Sequence, residues 1–389
     1  MSFTIGIVGA GAAGLGLATF LADAGHRVEI LERAEAPSAL GSGITLQGNA
    51  LRVLRRLGVW PQVRQAGYAF DVLGLRAPGP EATVLARIDD EKVGGPDLPA
   101  TLGMYRPDLT RILRERAESA GAVLRYGANV EAVEEDADSV TVHTRDGIRR
   151  RYGLLVGADG LHSRVRECLG VPGVPERTGM GIWRAFVRRP AEVTHTDLYY
   201  GGPAYIAGYC PTSEDTLYAY LVEDVQDRDL ADGPAIMREL AAGYGGPWDE
   251  IRAQLDESAR VNYTHFTSHI IDGDWFRGRV ALVGDAAHSC PPTIAQGAAM
   301  ALEDAAVLAD EIAQVAAADA GSGESSAAAA PTAASLAEAF GRYTARRAPR
   351  ARVVVENSVR LGQWMLDGNR DGDVPGLMRE VAAVVSAPV

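Results

Sequence analysis

The sequence predicts an α/β chain, in which a Rossmann-like dinucleotide-binding domain carries an inserted, mostly antiparallel β-sheet domain and ends in a C-terminal helix. Three observations carry this. A glycine-rich turn follows an apolar strand near the start, a second buried strand ending in Gly284-Asp285 recurs about 270 residues later, and the stretch from about 179 to 276 changes to strands rich in aromatics.

Ile5-Gly6-Ile7-Val8 reads as a buried parallel strand, and Gly9-Ala10-Gly11-Ala12-Ala13-Gly14 lets the backbone approach a pyrophosphate at a helix N-terminus. Residues 15–24 continue as a helix of small residues, Val28-Glu29-Ile30-Leu31 is a second strand, and Glu32 closes it 18 residues past Gly14. A carboxylate at that spacing accepts ribose hydroxyls and repels a 2′-phosphate, so FAD or NAD is expected rather than NADP. Helical periodicity covers Ala50 to Leu57 and Asp108 to Ala120, and Val130 to Val133 pairs with Val140 to Thr144 as a hairpin. Leu154-Leu155-Val156 is another buried strand, ending in Gly157-Ala158-Asp159-Gly160.

A helix is expected from Ala298 to Ala313, with Leu302, Ala305, Leu308, Ala309 and Ile312 inward and Glu303, Asp304, Asp310 and Glu311 opposite. A final helix from about Leu336 to Leu366 is expected on the outside, and the Ala/Gly/Ser-rich tract from about Ala316 to Ser335 as a surface loop. The division is therefore discontinuous. Residues 1–70, 100–178 and 276–335 form the dinucleotide-binding domain, 71–99 and 179–275 the inserted domain, and 336–389 the C-terminal helical segment.

With 389 residues, 47% of them hydrophobic, the chain can bury cores for two domains. A formal charge of −13 opposes binding to nucleic acid or to an anionic membrane surface. All but one of the 38 basic residues are arginine, Lys92 being the exception, which reads first as coding bias. Cys168, Cys210 and Cys290 have no metal-ligand spacing, so no metal is expected and the reducing cytoplasm is the expected compartment. Residues 3–22 lack charge, but five glycines and the turn signature argue against a membrane span.

Gly9-x-Gly11-x-x-Gly14 with Glu32, Gly157-Ala158-Asp159-Gly160 with Ser163 and Arg166, and Gly284-Asp285-Ala286-Ala287-His288 with Pro292 and Gln296-Gly297 together resemble the single-component FAD-dependent aromatic hydroxylases, the para-hydroxybenzoate hydroxylase-like flavoprotein monooxygenases. The likeness spans about residues 3–365 and is nearest to the short members acting on salicylate, 3-hydroxybenzoate or hydroxynicotinate, through Leu40-Gly41-Ser42-Gly43-Ile44, Tyr105-Arg106-Pro107-Asp108-Leu109 and Ala295 to Ala305.

The resemblance implies an FAD-binding domain with an inserted substrate domain. It also implies FAD as cofactor, NAD(P)H as a transient donor without a fold of its own, and hydroxylation of a small phenolic or heteroaromatic ring with oxygen activated on the reduced flavin. By the same resemblance Gly9, Gly11, Ala13, Gly14, Glu32, Arg33, Gly43, Arg106, Val130, Gly284, Asp285, Gly297 and Ala298 hold FAD. Asp285 accepts from the ribityl hydroxyls, Arg106 lies by the pyrophosphate, and the helix opened by Gly297 and Ala298 turns its positive end to the flavin pyrimidine edge.

Asp159 joins the cofactor-binding set by the same resemblance, near the pyrophosphate and bearing on NAD(P)H use, in a mixed role with capping of the helix near Ser163. His162 and His288 read as structural. Pro292, Tyr209 and Thr293 are the candidate catalytic residues, Pro292 through its carbonyl beside the substrate and Tyr209 either in the pocket or packing the sheet, with His195 a weaker pocket candidate and Arg184 either a carboxylate anchor or a partner for a surface acid. Three positions depart from the family pattern: Ala295 replaces the glycine before Gln-Gly, and Thr293 and Thr45 replace histidines of the hydroxynicotinate type. The pocket is thus expected to favour a neutral phenol or heteroaromatic. Other readings are a flavin oxidase or reductase on the same scaffold, and a protein that sequesters an aromatic ligand with an idle flavin. A monomer or homodimer is expected.

Overall fold

A computed structural model of the chain describes residues 4–37, 41–226, 232–321 and 331–389, the side chains of 316–321 excepted. The glycine-turn strand Thr4–Val8 lies inside a six-stranded sheet, between Leu154–Gly157 and Arg27–Leu31. Val123–Arg125 closes one side, and Val280–Leu282 followed by the antiparallel Phe276–Arg277 closes the other. Ile5, Ile7, Ile30, Leu154 to Val156 and Val280 to Leu282 are all buried, as strands covered on both faces require. Helices Ala12–Asp23 and Gly297–Gly321 pack on one another, and Gly16 permits the approach, its missing Cβ lying 3.5 Å from Ala305 Cβ.

The expected hairpin forms with Val142 opposite Val133, and Arg149–Tyr152 adds a third strand. A further three-stranded sheet, Gly43–Gln47, Thr101–Tyr105 and Tyr68–Phe70, links this half to an eight-stranded sheet. The larger sheet runs His288–Ser289, Val261–Ile270, Glu176–Arg188, Thr216–Asp224, Ile206–Pro211, Thr196–Tyr200, Val72–Arg76 and Val84–Asp89. Only the pairing of Thr196–Tyr200 with Val72–Arg76 is parallel. One face packs under helices Gly233–Ala241 and Pro247–Ala253 through Trp183, Tyr199, Tyr209, Met237, Tyr244 and Trp248; these two helices, each with proline in its first turn, were not expected from sequence. The other face, here the cleft face, turns toward the glycine-corner half, with Tyr218 against Gly43, Cys210 against Gly103, and Met365 and Leu366 packed beside Phe266.

Helix Gly297–Gly321 overruns its expected end at Ala313, and the next begins at Ala333 rather than Leu336. Of the expected surface loop, residues 322–330 lie outside the described residues. The helix Ala333–Leu366 is not merely applied to the outside. Arg347 is fully buried, and Glu303, Asp304 and Glu311, on the face opposite the apolar stripe, are buried with it. Helix Val374–Ser386 follows, and the Arg52 and Arg350 guanidiniums bind its last carbonyls, with Arg52 3.0 Å from Ser386 O and Arg350 2.9 Å from Val385 O. No helix among the described residues is long and apolar enough to cross a membrane.

Candidate functional site

The three motifs, distant in sequence, meet at one corner. A Cβ on Gly9 would lie 2.3 Å from Ala158 O and 3.0 Å from Asp159 Cα, and one on Gly284 would lie 3.3 Å from Ala13 Cβ. Gly9 (φ 106°) and Gly284 (φ 59°) also need the left-handed conformations that glycine supplies. Gly14 has no room for a side chain, since its Cβ would sit 2.1 Å from Gly9 O.

By contrast, a Cβ on Gly11 or Gly297 would meet nothing within 4 Å. Open space therefore stands over the first turn of helix Ala12–Asp23, whose N-cap Gly11 offers no capping side chain and whose first turn bears no acid. Such a terminus suits a phosphate. Glu32 ends its strand with one oxygen 2.9 Å from Ala10 N and the other 2.9 Å from Ala34 N, so the carboxylate braces the turn while keeping acceptor capacity for a ribose. Arg33 is exposed beside it, and Val130 is buried at the start of its strand.

Asp285 is solvent-accessible yet walled by protein. That desolvation lifts its carboxyl above the ordinary range, against the pull of His288 and Arg106 and with Asp304 adding to the rise. It accepts no hydrogen bond from the described residues. An acceptor held in this way, across from an exposed arginine that starts helix Arg106–Ser119, is a fit for ligand hydroxyls. The neighbouring groups are already committed. Asp304 accepts from Gly284 N at 2.8 Å, His288 Nε2 lies 2.7 Å from the same Asp304 oxygen, and Arg347 Nε donates to the other at 2.7 Å. Burial alone would raise the Asp304 carboxyl, but His288 and Arg347 outweigh it and hold it below the ordinary value. His288 is structural as expected, and its partner is this carboxylate; His162 is exposed.

Asp159 resolves toward capping: it accepts from Ser163 Oγ at 2.6 Å, Arg164 N at 2.7 Å and Val165 N at 3.1 Å, at the start of helix Arg164–Cys168. Its Cα still abuts the glycine turn, so it shapes the corner through the backbone.

Gly297 and Ala298 open the long helix beside the corner, and Gln296 is buried behind them, joined to Gln47 and Asn49. Ala295 has φ 53° and ψ 35°, a left-handed conformation that costs an L-residue roughly 1–2 kcal/mol. Ala295→Gly is therefore expected to stabilise the fold by about 1 kcal/mol or less after the extra chain entropy of glycine, read as a higher urea midpoint. A lower midpoint would show that the methyl group contributes more by packing than the backbone loses by strain.

Of the three candidate catalytic residues, Pro292 is exposed and Thr293 is half-buried next to it, its hydroxyl donating to Ser358 O at 2.8 Å. Tyr209 is a correction. It is fully buried on the helix-covered face, donating to Asp197 Oδ2 at 2.5 Å, where Arg76 Nε also binds at 2.6 Å. Strand alternation sets this, because Ile206, Gly208 and Cys210 take the cleft face and Ala207 and Tyr209 the other. His195 belongs to the same cluster, 3.2 Å from Asp197.

The cleft face instead presents Arg184, Tyr218 and Tyr220. Arg184 donates to Tyr218 Oη at 3.0 Å and to Thr264 Oγ1, and to no carboxylate among the described residues. Tyr220 lies flat over Gly208, whose Cβ would fall 2.6 Å from the ring, and its hydroxyl bonds to none of the described residues. Burial raises both tyrosines, so they remain protonated donors. This face is tied to the glycine corner's half by Tyr105 stacked 4.5 Å from Phe186, and by Gly43, whose absent side chain admits Tyr218. Gly43 thus seats Tyr218. The period-two Tyr218/Tyr220 pair opposite Arg184 is the signal that sequence reading passed over.

A family model described as an FAD binding domain matches residues 2–358. The chain is 30% identical over 313 residues to 6-hydroxynicotinate 3-monooxygenase of Bordetella bronchiseptica, covering 78% of this chain and 81% of that one. It is 31% identical over 365 residues to aurachin C monooxygenase/isomerase of Stigmatella aurantiaca, covering 92% and 89%. The fold is similar to that of HpxO of Klebsiella pneumoniae complexed with FAD and uric acid, with TM-score 0.81, 22% identity, and 99% of this chain and 97% of that one covered.

Proposed function

The chain belongs to the family defined by this FAD binding domain, and from that membership we propose an NAD(P)H- and O2-dependent monooxygenase that hydroxylates a small phenolic or heteroaromatic ring. FAD, when bound, takes electrons from the nicotinamide and activates oxygen. Gly9, its own N–H committed to Leu31 O at 2.8 Å, turns the backbone so that Gly11, Ala13 and Gly14 bring N–H groups to its pyrophosphate, Glu32 takes the ribose, and Asp285 and Arg106 take the ribityl side. Gly297 and Ala298 direct the positive end of their helix at the flavin, favouring negative charge there. Pro292 and Thr293 border the substrate side.

One observation carries the substrate reading: Arg184, with no carboxylate partner among the described residues, lies opposite Tyr220, whose hydroxyl bonds to none of them. Arg184, Tyr218 and Tyr220 are donors, so they hold an aromatic oxygen in its anionic form, which makes the ring electron-rich. Relatives whose names specify 6-hydroxynicotinate and aurachin C support a hydroxylated heteroaromatic.

The test is a panel of phenols, hydroxybenzoates, hydroxypyridines and quinolones. At least one member is expected to accelerate NAD(P)H consumption and yield a product heavier by one oxygen atom. Acceleration giving only hydrogen peroxide across the panel would move the reading to an oxidase, and binding without flavin reduction would move it to sequestration.

A further inference from the structure

We infer that the cleft continues past the ring site into an apolar track that takes a hydrocarbon chain carried by the substrate; this rests on the ring-hydroxylase reading and specifies its substrate class. The register of the large sheet lays out the track. Tyr220 is opposite Gly208, Gly208 opposite Leu198, Leu198 opposite Leu75, and Leu75 opposite Ala86, one row running from the ring site to the sheet edge. At about 4.8 Å per strand, the row is about 19 Å long. Thr196, Leu73 and Ile88 flank it on one side, and Tyr200 and Ile206 on the other.

This face opens toward the sheet edge. Leu198, Leu75 and Ala86 are half-buried, while Tyr200 is 42% exposed and Ile88 44%. An accessible sheet face ordinarily alternates to polar residues. Here every charged residue of the three edge strands falls on the opposite face: Asp197, Arg76, Arg87 and Asp89 share rows with Tyr199, Gly74 and Val72. Asp197 and Arg76 pair there at 2.6 Å.

The row therefore begins at the cation and phenol donors of Arg184, Tyr218 and Tyr220 and runs outward without a charge. That polarity matches one molecule with an acidic hydroxylated ring at one end and a hydrocarbon tail at the other. Gly208 makes the join continuous, since a side chain there would displace Tyr220 and block the passage.

The experiment uses the FAD-loaded enzyme and two homologous series, 4-alkylphenols and 2-alkyl-4-hydroxyquinolines, from no chain to nine carbons. Dissociation constants are read from the perturbation of flavin absorbance, and NAD(P)H consumption is followed in parallel. Affinity in at least one series is expected to rise about two- to fourfold per methylene until the track is filled. Leu198→Gln and Leu75→Gln, checked for full flavin content, are expected to flatten that dependence. Rings that bind with no gain from the chain would overturn the track while leaving the ring reading intact. Failure of every member to bind would overturn both. A chain-length gain that survives both substitutions would place the chain elsewhere and overturn the assignment. So would self-association of the ligand-free enzyme that the same substitutions abolish, because the face would then be a contact between copies.

Discussion

Asp285→Ala is expected to leave a folded protein that has lost its flavin. The carboxylate accepts no bond from the described residues, and surrounding protein already raises it above its ordinary value, so removing it relieves a desolvated group and strands no internal partner. Its worth is realised only against a ligand. Losing a charged acceptor for ligand hydroxyls costs about 1.5–3 kcal/mol, or about one to two powers of ten in FAD affinity. The ratio of flavin to protein absorbance after gel filtration, and an FAD titration of the apoprotein, read this directly. Circular dichroism of the variant should match that of the parent. An unchanged flavin affinity would remove Asp285 from the cofactor site, and with it the inference that the two glycine corners close on one ligand. Asp285→Asn separates charge from shape: it keeps an amide oxygen as acceptor and should bind more FAD than the alanine variant.

The glycine corner was legible because its demands are steric and local. Gly9, Gly14 and Gly284 each occupy positions where a Cβ collides with backbone or a neighbouring methyl, and such constraints print themselves on the sequence as fixed residues. Asp159 was legible only as an alternative, since a carboxylate before Ser163 suits a cap and a phosphate neighbourhood alike, and its three short bonds to the helix start favour the cap. Tyr209 was legible only as an alternative between pocket and packing, because aromatic content says that a strand is half-buried and not which face is which. A one-residue step decides between cleft and core, and Tyr209 falls on the side of Trp248 while Cys210 falls on the side of Phe70. The acid cluster at Glu303 and Asp304 was legible only in part for a related reason. Helical periodicity sorts residues into faces but does not say what a charged face meets, and the partners Arg347 and Arg350 come from a helix more than 40 residues on.

That cluster sets the second large effect. Arg347→Met is expected to destabilise the protein by about 3–5 kcal/mol, because it leaves buried carboxylates without their cation. Arg347 has no exposed surface; it donates to Asp304 at 2.7 Å, to Glu303 at 2.9 Å and to Met300 O at 3.2 Å. For a chain of this length the unfolding entropy converts that loss to a fall of roughly 4–6 °C in melting temperature. The damage should also reach the cofactor. Asp304 fixes the amide of Gly284 at 2.8 Å, next to Asp285, so a carboxylate freed from Arg347 loosens the turn that presents the flavin acceptor. Melting followed by flavin release and by tryptophan fluorescence reads the two consequences separately. Arg347→Lys retains the charge but not the planar fork that reaches both acids at once, and is expected to fall between parent and methionine variant. A methionine variant that melts with the parent would mean that Arg350, which donates to both Glu303 oxygens, and His288 on Asp304 neutralise the acids without Arg347.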